Sequence, residues 1–166
     1  PLMLLKVFKI ISKSNNNLKL KIIGEGPLKD EMINYIHDNS LKNIELLGRV
    51  SDLKLIKAYN WADVFINTTN VDNQPVTVLE AMGSGIPIVS TNVGGIPDII
   101  SDKENGLLSD INNDHAMAEN IMQIISNDTL VEKLSVNGKR FIDETFSEEK
   151  IFNEWKSVYN NIGIKL

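Results

Sequence analysis

The stretch Asp72-Asn73-Gln74-Pro75-Val76-Thr77-Val78-Leu79-Glu80-Ala81-Met82-Gly83-Ser84-Gly85-Ile86-Pro87-Ile88-Val89-Ser90 decides the fold. Pro75 suits the first turn of a helix, where its missing N–H is not needed. The pattern predicts a helix over residues 75–82, stopped by Gly83 and Gly85. Residues 86–90 then read as a buried strand. The amides of Val76, Thr77 and Val78 are expected to be free and to face outward at the positive end of the helix dipole, a place where phosphate binds. Glu80 follows within about one turn of them. Its neighbours Val78, Leu79, Ala81 and Met82 are apolar or small, an unusual setting for a solvated carboxylate.

Outward from this stretch, strand and helix patterns alternate. Strands are expected at 18–23, 43–47, 63–67 and 86–90, with one more at 106–109. Helices are expected at 1–11, 28–37, 52–60, 75–82 and 97–100, with Ser51 placed to cap the third. Three further helices are expected at about 113–126, 128–144 and 147–160. Such alternation implies an α/β fold: a Rossmann-like parallel sheet with helices on both faces. Ligands of these sheets bind outside the carboxyl ends of the strands. The loops at 24–27, 48–50, 67–74 and 91–95 lie at those ends, so the candidate residues converge on one edge.

Read together, these segments resemble the retaining nucleotide-sugar glycosyltransferases with the GT-B fold (group 1, GT4-type). Their signature has two acidic residues separated by seven others, the second within a Leu-Glu-Ala-Met-x-x-Gly-x-Pro-Ile/Val-Val run. Glu80 and its surroundings match the second half closely. The first acid is Asp72 where the family usually has Glu, which keeps the charge and shortens the reach by one methylene. Thr91-Asn92-Val93-Gly94-Gly95-Ile96-Pro97-Asp98-Ile99-Ile100, Asn105-Gly106-Leu107-Leu108, Ile23-Gly24-Glu25-Gly26-Pro27-Leu28 and Leu47-Gly48-Arg49-Val50-Ser51-Asp52 also resemble the family, in family order.

The resemblance implies roles for these residues. Glu80 would accept two hydrogen bonds from a ribose diol. Asp72 would contact hydroxyls of the transferred sugar and hold it near the developing positive charge, a catalytic role. Asn73, Gln74, Pro75, Val76, Thr77 and Val78 would form the phosphate end. Arg49 and Val50 would meet the nucleobase, and Gly24 and Gly26 would border the same site. Gly94 and Gly95 suit close backbone approach or positive φ. On residues alone each has a plainer reading: a solvated helix Glu, a turn Asp, an ordinary helix start, a surface Arg, a simple turn.

The implied reaction transfers a sugar from a nucleoside diphosphate-sugar, by family frequency a UDP-sugar, to an acceptor hydroxyl with retention. Its destination would be a capsule, lipopolysaccharide or other envelope glycan. No cofactor or metal is expected, since helix amides and basic residues stabilise the leaving diphosphate. In the family the first helix follows a strand and a loop carrying an Arg and a Lys that clamp the diphosphate. Residues 1–166 are therefore expected to be one nucleotide-sugar-binding domain, the C-terminal half of a GT-B enzyme. The N-terminal acceptor domain and that first strand and loop would lie elsewhere, and this piece alone would be inactive. Partners would be the nucleotide-sugar donor, the N-terminal domain and a glycan or lipid-linked acceptor. The expected location is cytoplasmic or peripheral at the inner face of the membrane, with any membrane contact made by the other domain. Two rivals stay open: a nucleotide-sugar epimerase, against which the Glu80 run speaks, and a non-catalytic domain that packs on a partner.

Composition narrows the field further. At 166 residues, with 42% hydrophobic and 23% charged content, the chain can bury a sizeable core. The net charge of −5 and scattered Lys and Arg argue against nucleic acid held by charge. There is no cysteine, so neither disulfides nor thiolate metal sites arise. No apolar run approaches the roughly 20 residues that span a bilayer. Gly24-Glu25-Gly26 lacks the third glycine of a dinucleotide fingerprint, with Lys29 in its place. Residues 110–121 lack the Gly and Glu of a calcium loop, having His115 and Ile121 there. His37 and His115 read as lone residues near helix ends. Trp61 and Trp155 read as core or interface aromatics, and Leu130, Leu134, Phe141 and Ile142 as an apolar core stripe. Asn67 and Asn127 head Asn-x-Thr triplets of no assigned role.

Overall fold

The structure, a computed structural model, describes residues 1–163. Helix α1 (Leu2–Ser14) leads into strand β1 (Leu20–Ile23), helix α2 (Lys29–Asp38) and strand β2 (Ile44–Gly48). Then come α3 (Asp52–Trp61), β3 (Phe65–Asn67), α4 (Val76–Gly83), β4 (Ile88–Thr91), α5 (Ile96–Ile99) and β5 (Leu107–Ser109). Helices α6 (Asp114–Ile125), α7 (Asp128–Phe146) and α8 (Glu148–Asn161) close the described chain. Every expected element is present, with ends displaced by a few residues.

All pairings are parallel, as the alternation requires, but they form two ladders. One is β1-β2 and the other β3-β4-β5, with no hydrogen-bonded register between them. Strand β4 is buried at all four residues, the signature of a strand covered on both faces. Alternate side chains of each strand serve opposite faces. Ile66, Val89 and Leu107 join the cluster built by Leu5, Val7 and Phe8 of α1 with Met117 and Ile121 of α6. Phe65, Ile88 and Leu108 join a second cluster with Tyr59, Val78, Met82 and Ile96. Helices thus cover both faces. Helix α7 spans the two: Leu130 and Leu134 pack in the first cluster, Phe141 and Ile142 in the second.

Local chemistry sets the helix ends. After α4, the Gly85 N–H bonds Met82 O at 2.9 Å and the Ile86 N–H bonds Ala81 O at 3.1 Å, with Gly85 at φ +75°. That is a Schellman ending, and only Gly takes this φ without strain. Asn113 and Asn127 cap α6 and α7 through their side-chain oxygens, so Asn127 of the triplet is a helix cap. Ser51 occupies the expected cap position, but its hydroxyl makes no capping bond; its carbonyl accepts from Lys54 and Leu55.

Of the two readings of the tryptophans, core or interface, the core one is corrected. Trp61 is 41% and Trp155 56% exposed, so neither is a core residue. Trp61 ends α3 and lies under the Lys21 ammonium, 4.0 Å from the ring centroid. Trp155 stacks loosely on Tyr159 along α8, a helix with no buried residue. His37 and His115 lie near helix ends, both exposed. Among the described residues, no helix is long and apolar enough to cross a membrane.

Candidate functional site at the start of α4

Pro75 stands one position outside α4, as its N-cap, with φ −72° and ψ 102°. It offers no side-chain oxygen, so no cap bond is made there. Its carbonyl instead accepts from the Val78 N–H at 3.0 Å and the Leu79 N–H at 3.3 Å. The expectation of three free amides is therefore corrected. Val78 is tied into the first turn and fully buried, whereas the Val76 and Thr77 N–H groups have no partner among the described residues. Two unbonded amides at an uncapped helix start leave a positive end open to an anion.

Glu80 lies on the solvent side of α4, exposed despite its apolar neighbours in sequence. Val78, Ala81 and Met82 turn inward to the core, which leaves Glu80 on the outer face. Its Oε2 accepts a hydrogen bond from the Tyr59 hydroxyl at 2.8 Å. Oε1 has no partner among the described residues. Tyr59 escaped the sequence reading because its partner lies 21 positions away. The available signal was its place in α3, four residues after Leu55: a Tyr on an inward face needs an acceptor for its hydroxyl.

The loop between β3 and α4 carries Asp72, Asn73 and Gln74. Asp72 is half-buried, and its carboxylate has no partner among the described residues; Asn73 and Gln74 are exposed. The backbone of this loop is held by the one after β4. The Gly95 N–H bonds Asp72 O at 2.9 Å. A Cβ on Gly94 would overlap the Asp72 carbonyl oxygen, and one on Gly95 the Asn73 carbonyl oxygen. Gly94 also has φ +53°. Both reasons offered for this Gly-Gly pair, close approach and positive φ, therefore apply at Gly94. Beneath, the Thr91 hydroxyl bonds Thr69 O at 2.6 Å, and Asn67 of the other triplet donates to Ser90 Oγ at 3.1 Å. Strands β3 and β4 and the loops that follow them form one hydrogen-bonded platform.

The second group of candidates lies on the other ladder. Gly24, at φ +124°, donates its N–H to Gly48 O at 2.9 Å, joining the loops after β1 and β2. Gly26 is exposed with nothing within 4 Å of where a Cβ would sit. Arg49 is exposed and Val50 half-buried, immediately before α3. No hydrogen bond joins this group to Asp72 or Glu80 among the described residues. Helix α3 is the physical link: it begins after Val50 and carries Tyr59, which reaches Glu80. No group of three or more His, Asp or Glu side chains suited to a metal ion occurs among the described residues.

Residues 1–141 match the family described as glycosyl transferases group 1. The chain is 30% identical over 161 residues to the poly(ribitol-phosphate) alpha-N-acetylglucosaminyltransferase of Staphylococcus aureus, covering 96% of this chain and 32% of that protein. It is 30% identical over 159 residues to the S. aureus capsular polysaccharide biosynthesis glycosyltransferase CapM, covering 95% and 41%. A mutant of S. aureus TarM, solved with fondaparinux, alpha-GlcNAc-glycerol and UDP, superposes with a TM-score of 0.84 at 29% identity, covering 95% of this chain and 32% of that one. The chain spans less than half the length of the curated relatives it matches.

Proposed function

This chain belongs to the glycosyl transferases group 1 family, and on that premise we propose that it is the donor-binding domain of a retaining glycosyltransferase. The donor is a nucleoside diphosphate-sugar, a UDP-sugar by preference, and the acceptor is a hydroxyl of a cell-envelope or capsular glycan. The UDP in the TarM complex supports the choice of base, and the names of the S. aureus relatives support the destination. The acceptor site and the basic clamp on the diphosphate belong to sequence outside these 166 residues.

One observation carries the reading: two unbonded amides, Val76 and Thr77, start the same helix that presents Glu80 to solvent, beside a loop that holds Asp72. The helix start offers donors to an anion, and the two carboxylates offer acceptors to hydroxyls. Together they suit a ligand with a central anion and hydroxyl-rich ends. The helix dipole and amides stabilise the diphosphate as the bond to the anomeric carbon breaks and its electron pair leaves with the phosphate oxygen. Glu80 accepts from the ribose hydroxyls. Asp72 accepts from sugar hydroxyls and lowers the energy of positive charge at the anomeric carbon. The acceptor oxygen then bonds that carbon on the same face and gives its proton to the departing diphosphate oxygen. Arg49 and Val50 border the base.

The test is a ¹⁵N NMR titration of the 166-residue chain with UDP, GDP and ADP. The expected result is base-selective shifts at residues 49–50 and 76–80, with affinity near millimolar, about −4 kcal/mol. Absence of shifts at high millimolar ligand would leave a packing module rather than a donor domain.

A further inference from the structure

Tyr59 sits within α3, 9% exposed, with its ring against Phe65 at a centroid distance of 6.1 Å and packed among Val78, Ala81 and Met82. Its ring is core. Its hydroxyl emerges beside α4 with two acceptors in range, Glu80 Oε2 at 2.8 Å and Thr77 O at 3.4 Å. A phenol has one hydrogen to donate, and the shorter, charge-assisted bond takes it. Glu80 is otherwise an exposed side chain on a long flexible stem, and among the described residues its carboxylate has no other hydrogen bond or ion pair. Among the described residues, the bond from Tyr59 is what fixes that carboxylate.

We propose that Tyr59 is a positioning residue for donor binding: it holds Glu80 by Oε2 and leaves Oε1 aimed outward to meet a ribose diol. This rests on the donor-site reading above. Burial first, then the hydrogen bond and charge of Glu80, push the Tyr59 hydroxyl well above the ordinary tyrosine range, so it stays a donor at every working pH. The advantage is preorganisation. The carboxylate is already ordered when the nucleotide arrives, so less freedom is lost on binding.

The test compares the wild-type chain with Tyr59→Phe, which keeps the ring and removes the hydroxyl, against UDP and 2′,3′-dideoxy-UDP. The expected result is UDP binding weakened about two- to ten-fold, dideoxy-UDP binding unchanged, and no effect of Tyr59→Phe in a Glu80→Ala background. In the free chain, ¹³C relaxation at the Glu80 side chain should report order in the wild type and mobility in Tyr59→Phe. A purely structural hydroxyl would lower stability and leave both the UDP/dideoxy-UDP ratio and Glu80 mobility unchanged, which overturns the proposal. UDP binding that depends on Glu80 but not on Tyr59 overturns this inference alone. A wild-type chain that binds no nucleotide overturns the donor-site reading and this inference with it.

Discussion

The Gly95 N–H meets the Asp72 carbonyl at 2.9 Å, so the loop after β4 holds the loop after β3 by its backbone. The contact is close enough that no side chain fits between them. The acid we propose for the sugar thus stands on a strut of two glycines.

Gly95→Ala should therefore cost stability and displace Asp72 together. Overpacking against backbone typically costs about 1–3 kcal/mol. At this chain length, each kcal/mol lowers Tm by roughly 2–4 °C. Gly26→Ala is the control: its Cβ would meet nothing within 4 Å, so stability should hold or rise slightly. Thermal melts of the two variants check this, and equal losses would contradict the strut.

Alkaline stability should depend on Tyr59. Its folded pKa lies above the unfolded value of about 10. Folding then favours the protonated form. The contribution is complete below about pH 10 and is lost as pH rises toward the folded pKa, because the unfolded chain releases its proton first. Denaturant midpoints at pH 9 and pH 11 should fall further for the wild type than for Tyr59→Phe. Parallel declines would refute the shift.

Core and surface should separate cleanly. Met82 and Leu134 are each 1% exposed, and either one changed to Ala should cost about 2–5 kcal/mol. Trp155→Ala, on the exposed face of α8, should stay within about 0.5 kcal/mol despite removing a larger side chain. A large loss at Trp155 would mean that α8 is held more firmly than its exposure indicates.

The Lys21 ammonium over Trp61 connects a strand of the two-stranded ladder to α3, which runs on into the three-stranded one. Lys21→Gln should lower stability by about 0.5–1 kcal/mol, and Lys21→Arg should restore it. Chemical denaturation of the two variants decides the matter. Equal values would show that charge over the ring contributes nothing.

Much of this was legible because the informative signals are local. Pro75, the glycines after Met82 and the apolar run 86–89 mark a helix, its stop and a buried strand within one window. Each is a backbone preference of the residue itself. The close approach at Gly94-Gly95 was legible for the same reason. Most of the misses are long-range. Tyr59 and Glu80 are 21 positions apart, and nothing local says which carboxylate a buried phenol will find. The Val78 amide was expected free as a first-turn donor, but a tight three-residue bond to the Pro75 carbonyl takes it. Trp61 and Trp155 read as core or interface aromatics, and the core half fails because burial depends on what packs over a helix face. Division of the sheet into two ladders is likewise a matter of which edges meet, which periodicity does not encode.

The central claim is that Glu80 holds the nucleotide of a donor. The most direct measurement is a UDP titration of wild-type and Glu80→Ala chains by ¹⁵N NMR. The account predicts saturable shifts at residues 76–80 in the wild type that disappear in the variant, while the rest of its spectrum stays native. Identical UDP shifts in both chains would contradict it.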